Sequence, residues 1–168
     1  MKHLLSSRSD LLEVRSADEW TPLLTAACLS NLDAIEAILA AGADPFVSDS
    51  LGRNTVHLFL WPPNGAVNDS KEKVKRLMDL FDAPARRHLL QQRCSEHLGG
   101  LTPLTRWLYG VGSVEIYRPD SDGALKGLLE YCEESDLDMV DNRGMTPLHL
   151  VNFPFPSISL IEPALITT

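Results

Sequence analysis

Between Asn31 and Gly42 the chain reads NLDAIEAILAAG, and its apolar positions Leu32, Ile35, Ile38 and Leu39 share one stripe of a 3.6-residue helix. Gly42 ends the pattern where a helix needs a residue free to turn left-handed. Just upstream, Thr21-Pro22-Leu23-Leu24 predicts another helix start. A proline in the first turn forfeits no hydrogen bond, and the threonine before it caps free N–H groups. The pattern therefore predicts a helix-turn-helix unit. Its first helix carries the small pair Ala26-Ala27, which lets a neighbouring helix approach.

The helix start recurs. Thr102-Pro103-Leu104-Thr105 and Thr146-Pro147-Leu148-His149 repeat it, and Asn54-Thr55-Val56-His57 is a degraded copy. The first positions, 21, 54, 102 and 146, are separated by 33, 48 and 44 residues. Gly52 and Gly144 precede two of these starts and supply backbone freedom at the turn. The second-helix stripe returns as Val74, Leu77 and Met78, then as Leu128-Leu129. On this alignment the second unit carries 6 extra residues between its helices, in WPPNGAVNDSKEK, and 9 after them, in DAPARRHLLQQRCSEHLGG. The third carries 9 in YGVGSVEIYRPDSDG and 2 near Glu133–Ser135. Gly, Pro, Asn and Asp crowd both inter-helix insertions, which therefore read as surface loops.

A unit that recurs at a bare period of 33 and holds these features together resembles the ankyrin repeat. The fullest copy, WTPLLTAACLSNLDAIEAILAAGADPFVSDSLG at 20–52, has the TPL start, the Ala26-Ala27 pair, the second-helix stripe and the Gly42-Ala43-Asp44 ending. The resemblance covers about residues 4–152, with two interruptions. It implies an all-α ankyrin-repeat solenoid of helix-turn-helix units with inserted loops. The units are a partial repeat at 4–19, repeats at 20–52, 53–100 and 101–144, a truncated fourth at 145–153, and an irregular tail at 154–168. His57 and His149 take the histidine of the family's TPLH, whose ring ties the turn by hydrogen bonds. The pair Ala26-Ala27 becomes Phe59-Leu60 and Trp107-Leu108. These bulky residues should push adjacent inner helices apart or tuck into space opened by the insertions. Both ends read as cut, so the expectation is a piece of a longer array.

The resemblance further implies a non-catalytic protein-interaction module, part of a larger scaffold or regulator, whose contact surface is the inter-repeat turns and the open side of the inner helices. That surface comprises Ala17, Asp18, Trp20, Cys28 and Leu29 in the first repeat, and Ser50, Leu51, Arg53 and Trp61 in the second. Leu101 and Tyr109, then Asn142, Arg143 and Met145, continue it. Trp, Tyr, Arg and Met are favoured types at binding hot spots. An unknown protein is the expected partner; the alternatives are a truncated or inert repeat fragment that self-associates through its apolar ends, and an enzyme-associated regulatory domain.

Charge and chemistry add exclusions. Net charge −8 and a pI near 5.0 argue against nucleic acid as a partner. KEKVKR at 71–76 reads as the wet side of a helix. The sequence has no run of about twenty apolar residues, the length a membrane-spanning helix needs. Three cysteines, Cys28, Cys94 and Cys132, without a secretory leader give the expectation of reduced thiols and an intracellular chain, cytoplasmic or nuclear. No cofactor or metal is expected. Cys94 and His97 in CSEH are half of a metal-ligand spacing, and GVGS at 110–113 lacks the lysine and length of a phosphate loop. The acidic run at 133–138 reads as a solvated helix end, and NDS at 68–70 as a formal glycosylation sequon.

Overall fold

The computed structural model describes residues 11–17, 19–60, 70–113 and 123–151. Capping residues decide where its helices begin. Thr21 Oγ1 accepts from Leu24 N–H at 3.4 Å and opens α1 (Pro22–Cys28). Asn31 Oδ1 accepts from Ala34 N–H at 3.1 Å and opens α2 (Leu32–Ala40), which ends before Gly42 at φ 95°. The second unit has α3 (Thr55–Leu60) and α4 (Lys71–Asp79), the latter capped by Ser70 Oγ. Helices α5 (Ala83–Gln91), α6 (Pro103–Ser113), α7 (Gly123–Leu129), α8 (Glu134–Leu137) and α9 (Pro147–Val151) follow. Among the described residues there is no strand, only an isolated bridge between Ser48 and Asn54.

Two rows result. Helices α1, α3, α6 and α9, the four with the repeated start, pack in that order as the inner row. Helices α2, α4 and α7 pack in order as the outer row. Within the outer row, a Cβ on Gly127 would lie 3.0 Å from the Lys71 carbonyl oxygen and 3.2 Å from Val74 Cβ, so α7 lies close against α4. KEKVKR has the predicted wet side. Val74, Leu77 and Met78 are buried, while Lys71 and Lys75 both reach Glu130 at 2.6 Å and Arg76 reaches Asp33 at 2.6 Å. These exposed ion pairs contribute little each; the apolar stripe holds the row together.

The bulky residues tuck inward. Phe59, Leu60, Trp107 and Leu108 are all buried in one core that runs from Leu12 to Leu150. The reason is α5, which sequence reading placed only as extra length after the second helix. Asp82 Oδ1 caps it through Ala85 N–H at 2.9 Å, and its Leu89 and Leu90 are buried. It packs against both α3 and α6, so large side chains meet a helix instead of a void. Asn54, the degraded threonine, serves this contact: its Nδ2 donates to the Leu89 carbonyl at 2.8 Å and to Gln92 Oε1 at 3.1 Å.

The insertions are shorter as loops than expected. Residues 71–73 belong to α4, residues 109–113 to α6, and Gly123 opens α7. The rest of each insertion, 61–69 and 114–122, lies outside the described residues, as do 4–10 and the tail 154–168. No helix among the described residues is long and apolar enough to cross a membrane.

Candidate functional site

The turns that deliver the chain to each inner helix share one construction. In the turn at 49–53, Asp49 N–H donates to the Arg53 carbonyl at 3.1 Å, and Asp49 Oδ1 accepts from Arg53 N–H at 2.9 Å. In the turn at 141–145, Asp141 N–H donates to the Met145 carbonyl at 3.0 Å, and Asp141 Oδ1 accepts from Met145 N–H at 2.9 Å. At 16–20 the acceptor is a hydroxyl: Ser16 N–H donates to the Trp20 carbonyl at 2.9 Å, and Ser16 Oγ accepts from Trp20 N–H at 3.2 Å. At 94–101 it is sulfur: Cys94 N–H donates to the Leu101 carbonyl at 2.9 Å, and Cys94 Sγ accepts from Leu101 N–H at 3.2 Å. That third turn is longer and holds a short 3₁₀ segment, Glu96–Leu98.

Successive turns are also tied to each other. Ser95 N–H donates to the Leu51 carbonyl at 2.7 Å, and Asn142 N–H to the Gly99 carbonyl at 3.0 Å. Arg15 reaches the Ser48 carbonyl at 2.9 Å. The approach is tight at Gly52, with φ 72°, where a Cβ would lie 3.1 Å from Ser95 N. The Leu51 and Gly99 carbonyls and the Ser95 and Asn142 N–H groups are thus occupied between turns.

The predicted site residues divide along this row. Ala17, Leu29, Ser50, Asn142 and Arg143 are exposed, Leu29 at 66%. Trp20, Leu51, Tyr109 and Met145 are half-buried. The Tyr109 ring lies 4.6 Å beneath the Arg143 guanidinium, and its hydroxyl donates to Asp141 Oδ2 at 3.4 Å. Asp18 and Trp61 lie outside the described residues. Three expectations need correction. Arg53 is buried, because its guanidinium turns back onto the Asp49 carboxylate at 2.6 Å. The Leu101 side chain is buried too, since its carbonyl serves the core-facing ring of His57. Cys28 is likewise buried at the end of α1.

His57 shows why its position favours an imidazole. Nδ1 accepts from Asn54 N–H at 3.3 Å, and Nε2–H donates to the Leu101 carbonyl at 3.1 Å, which joins two repeats. Burial pushes its pKa down to about 3, so the ring is neutral. His149 repeats the local contact, with Thr146 N–H donating to Nδ1 at 3.2 Å. In the third unit Thr105 Oγ1 takes that role, accepting from Thr102 N–H at 2.8 Å.

The other chemical candidates are spoken for. Cys94 Sγ is engaged in its turn, and burial raises the pKa of Cys28, Cys94 and Cys132, the last to about 12. Residues 110–113 are the last turn of a helix, not a phosphate loop. The acidic run caps itself: Asp136 Oδ2 accepts from Glu133 N–H at 2.8 Å, and Asp136 Oδ1 from Gln91 Nε2 at 2.8 Å. Among the described residues no three His, Cys, Asp or Glu side chains converge as metal ligands.

Sequence reading missed the turn acceptors Ser16, Asp49, Cys94 and Asp141. A signal existed for two of them: Asp49 and Asp141 each precede a glycine by three positions, 92 residues apart, the same separation as Asn54 and Thr146. A family model described as Ankyrin repeat matches residues 18–50. No curated protein matches the chain.

Proposed function

The chain is an ankyrin-repeat protein, and on that premise we propose that it is a non-catalytic protein-interaction module, a segment of a larger scaffold or regulator. The contact surface is the row of turns with the adjoining open ends of the inner helices: Leu29, Ser50, Asn142 and Arg143, backed by Trp20, Leu51, Tyr109 and Met145. One observation carries this reading. The turns are hydrogen-bonded to each other through Leu51, Ser95, Gly99 and Asn142, so the edge is held in place before any partner arrives. A partner then pays little ordering entropy, and a few anchors suffice for affinity. Support for binding over catalysis comes from occupation. Both His57 ring nitrogens, the Cys94 sulfur and the Asp49 and Asp141 carboxylates are used within turns or between repeats, so none of these groups is free to serve as the adjacent nucleophile and base a reaction needs.

Leu29 and Ser50 are exposed, so replacing them together with Asp and Arg should leave helicity and melting unchanged. The same double variant should lose its partner in a crosslinking capture from cells. Capture at the parental level would remove this face from consideration.

A further inference from the structure

Counting four residues from each inner-helix start, α1 has the exposed Thr25, α3 has Leu58 and α9 has Leu150, both buried, and α6 has Arg106. A guanidinium at a position that both flanking inner helices fill with a buried leucine is costly unless something answers its charge. Nothing among the described residues does. Arg106 Nε is shielded from solvent with no hydrogen-bond partner, and no described carboxylate forms an ion pair with the side chain. The side chain is half-buried, not closed off.

Its surroundings do not neutralise it. Arg106 feels the fields of Arg53, Cys94 and Asp49, and burial first, then the Arg53 charge, draw its pKa below the usual value. The one carboxylate of that group, Asp49, is already engaged by Arg53 at 2.8 Å and 2.6 Å. Nearby, Arg93 spends its guanidinium on the Gly100 carbonyl at 2.8 Å and Asn142 Oδ1 at 3.1 Å, neither of them an anion. Ser95 Oγ is buried without a hydrogen-bond partner beside the same turn. In a chain of net charge −8, Arg53, Arg93 and Arg106 outnumber the carboxylates Asp49 and Glu96 along the second and third turns.

We propose that Arg106 is the anchor for a carboxylate carried by an acidic segment of the protein partner, laid along the turns between Arg53 and Arg93. The inference rests on the interaction-surface reading above and adds the partner's chemistry to it. A carboxylate matches the planar guanidinium in two parallel hydrogen bonds, and partial burial strengthens the pair by excluding water. The position thus trades stability for recognition.

The test uses the full chain and a fluorescein-labelled Glu-rich peptide of about twelve residues, with a Lys-rich peptide of equal length as control, read by fluorescence anisotropy. The Glu-rich peptide should bind, weaken with added salt, and lose about ten-fold or more in affinity on Arg106→Leu. Because Leu58 and Leu150 occupy the same register, Arg106→Leu should fold and melt at a higher temperature than the parent. No binding of the Glu-rich peptide, or equal binding by Arg106→Leu, overturns the acidic anchor. If the Leu29/Ser50 variant loses its cellular partner while Arg106→Leu retains it, the surface reading stands and this inference alone fails.

Discussion

Replacing Asp49 with Ala should lower the unfolding free energy by about 3–5 kcal/mol, a large share of the total stability of a small domain. The Asp49 side chain has no exposure and that of Arg53 only 9%, so the substitution strands a guanidinium in the core. It also takes the acceptor from the Leu51 and Arg53 N–H groups. Three comparisons isolate the cause. Asp49→Asn keeps a turn acceptor and should be milder. Asp49→Ala with Arg53→Leu removes both charges and should recover much of the loss. Asp141→Ala removes the same turn acceptor but faces an arginine that is 51% exposed, so it should cost only about 1 kcal/mol. Urea unfolding followed by circular dichroism measures all four. Equal losses for Asp49→Ala and Asp141→Ala would refute the burial argument.

Acidification should unfold the chain through His57. Its pKa in the folded state is about 3, far below the ordinary value of 6.5. The unfolded chain therefore binds a proton that the folded chain refuses between those limits. The stabilisation is complete above pH 6.5 and is lost, at about 1.4 kcal/mol per pH unit, as pH falls toward 3. Between pH 6.5 and pH 5 the expected loss from this group is about 2 kcal/mol. His57→Thr removes the titration and retains a turn acceptor, as Thr105 does in the next unit. Its stability should start lower, since the Leu101 carbonyl loses its donor, and should vary less with pH across this window. Parallel pH profiles for parent and variant would show that another group governs acid unfolding.

The sequence made the repeated framework legible because the relevant signals are local. A proline at a helix start, a capping threonine and a 3.6-residue stripe need no knowledge of neighbours, and all four inner helices begin where they point. The inserted helix α5 was harder to read. Its core contribution is two adjacent leucines, Leu89 and Leu90, among Arg, His and Gln, which is too short a pattern for a periodic signal. The turns were half legible. Glycine marks the left-handed position at 52 and 144, but Glu19 holds a similar conformation at φ 62°. The acceptor alternates among Ser, Asp and Cys, so no single letter identifies it.

Exposure was the least legible property. Arg53 and Leu101 stand at turn positions that would be open in an isolated unit. They are closed because Asp49 folds over one, and because the repeat before claims the carbonyl of the other through His57. Such burial is a relation between units, so a reading unit by unit could not contain it. Arg106 makes the converse point. Leu58 and Leu150 hold its register in the flanking inner helices, and only the packing reveals that its charge has been left unanswered there.

A partner is expected to lie along the turns and the open ends of the inner helices. Photo-crosslinking residues placed one at a time at positions 29, 50 and 143, and at 36 and 72 on the outer helices, test it directly, because all five side chains are exposed. Crosslinks to one and the same protein from the first three positions, and none from 36 and 72, are the predicted result. Crosslinks concentrated on the outer helices, or spread evenly over all five positions, would contradict it.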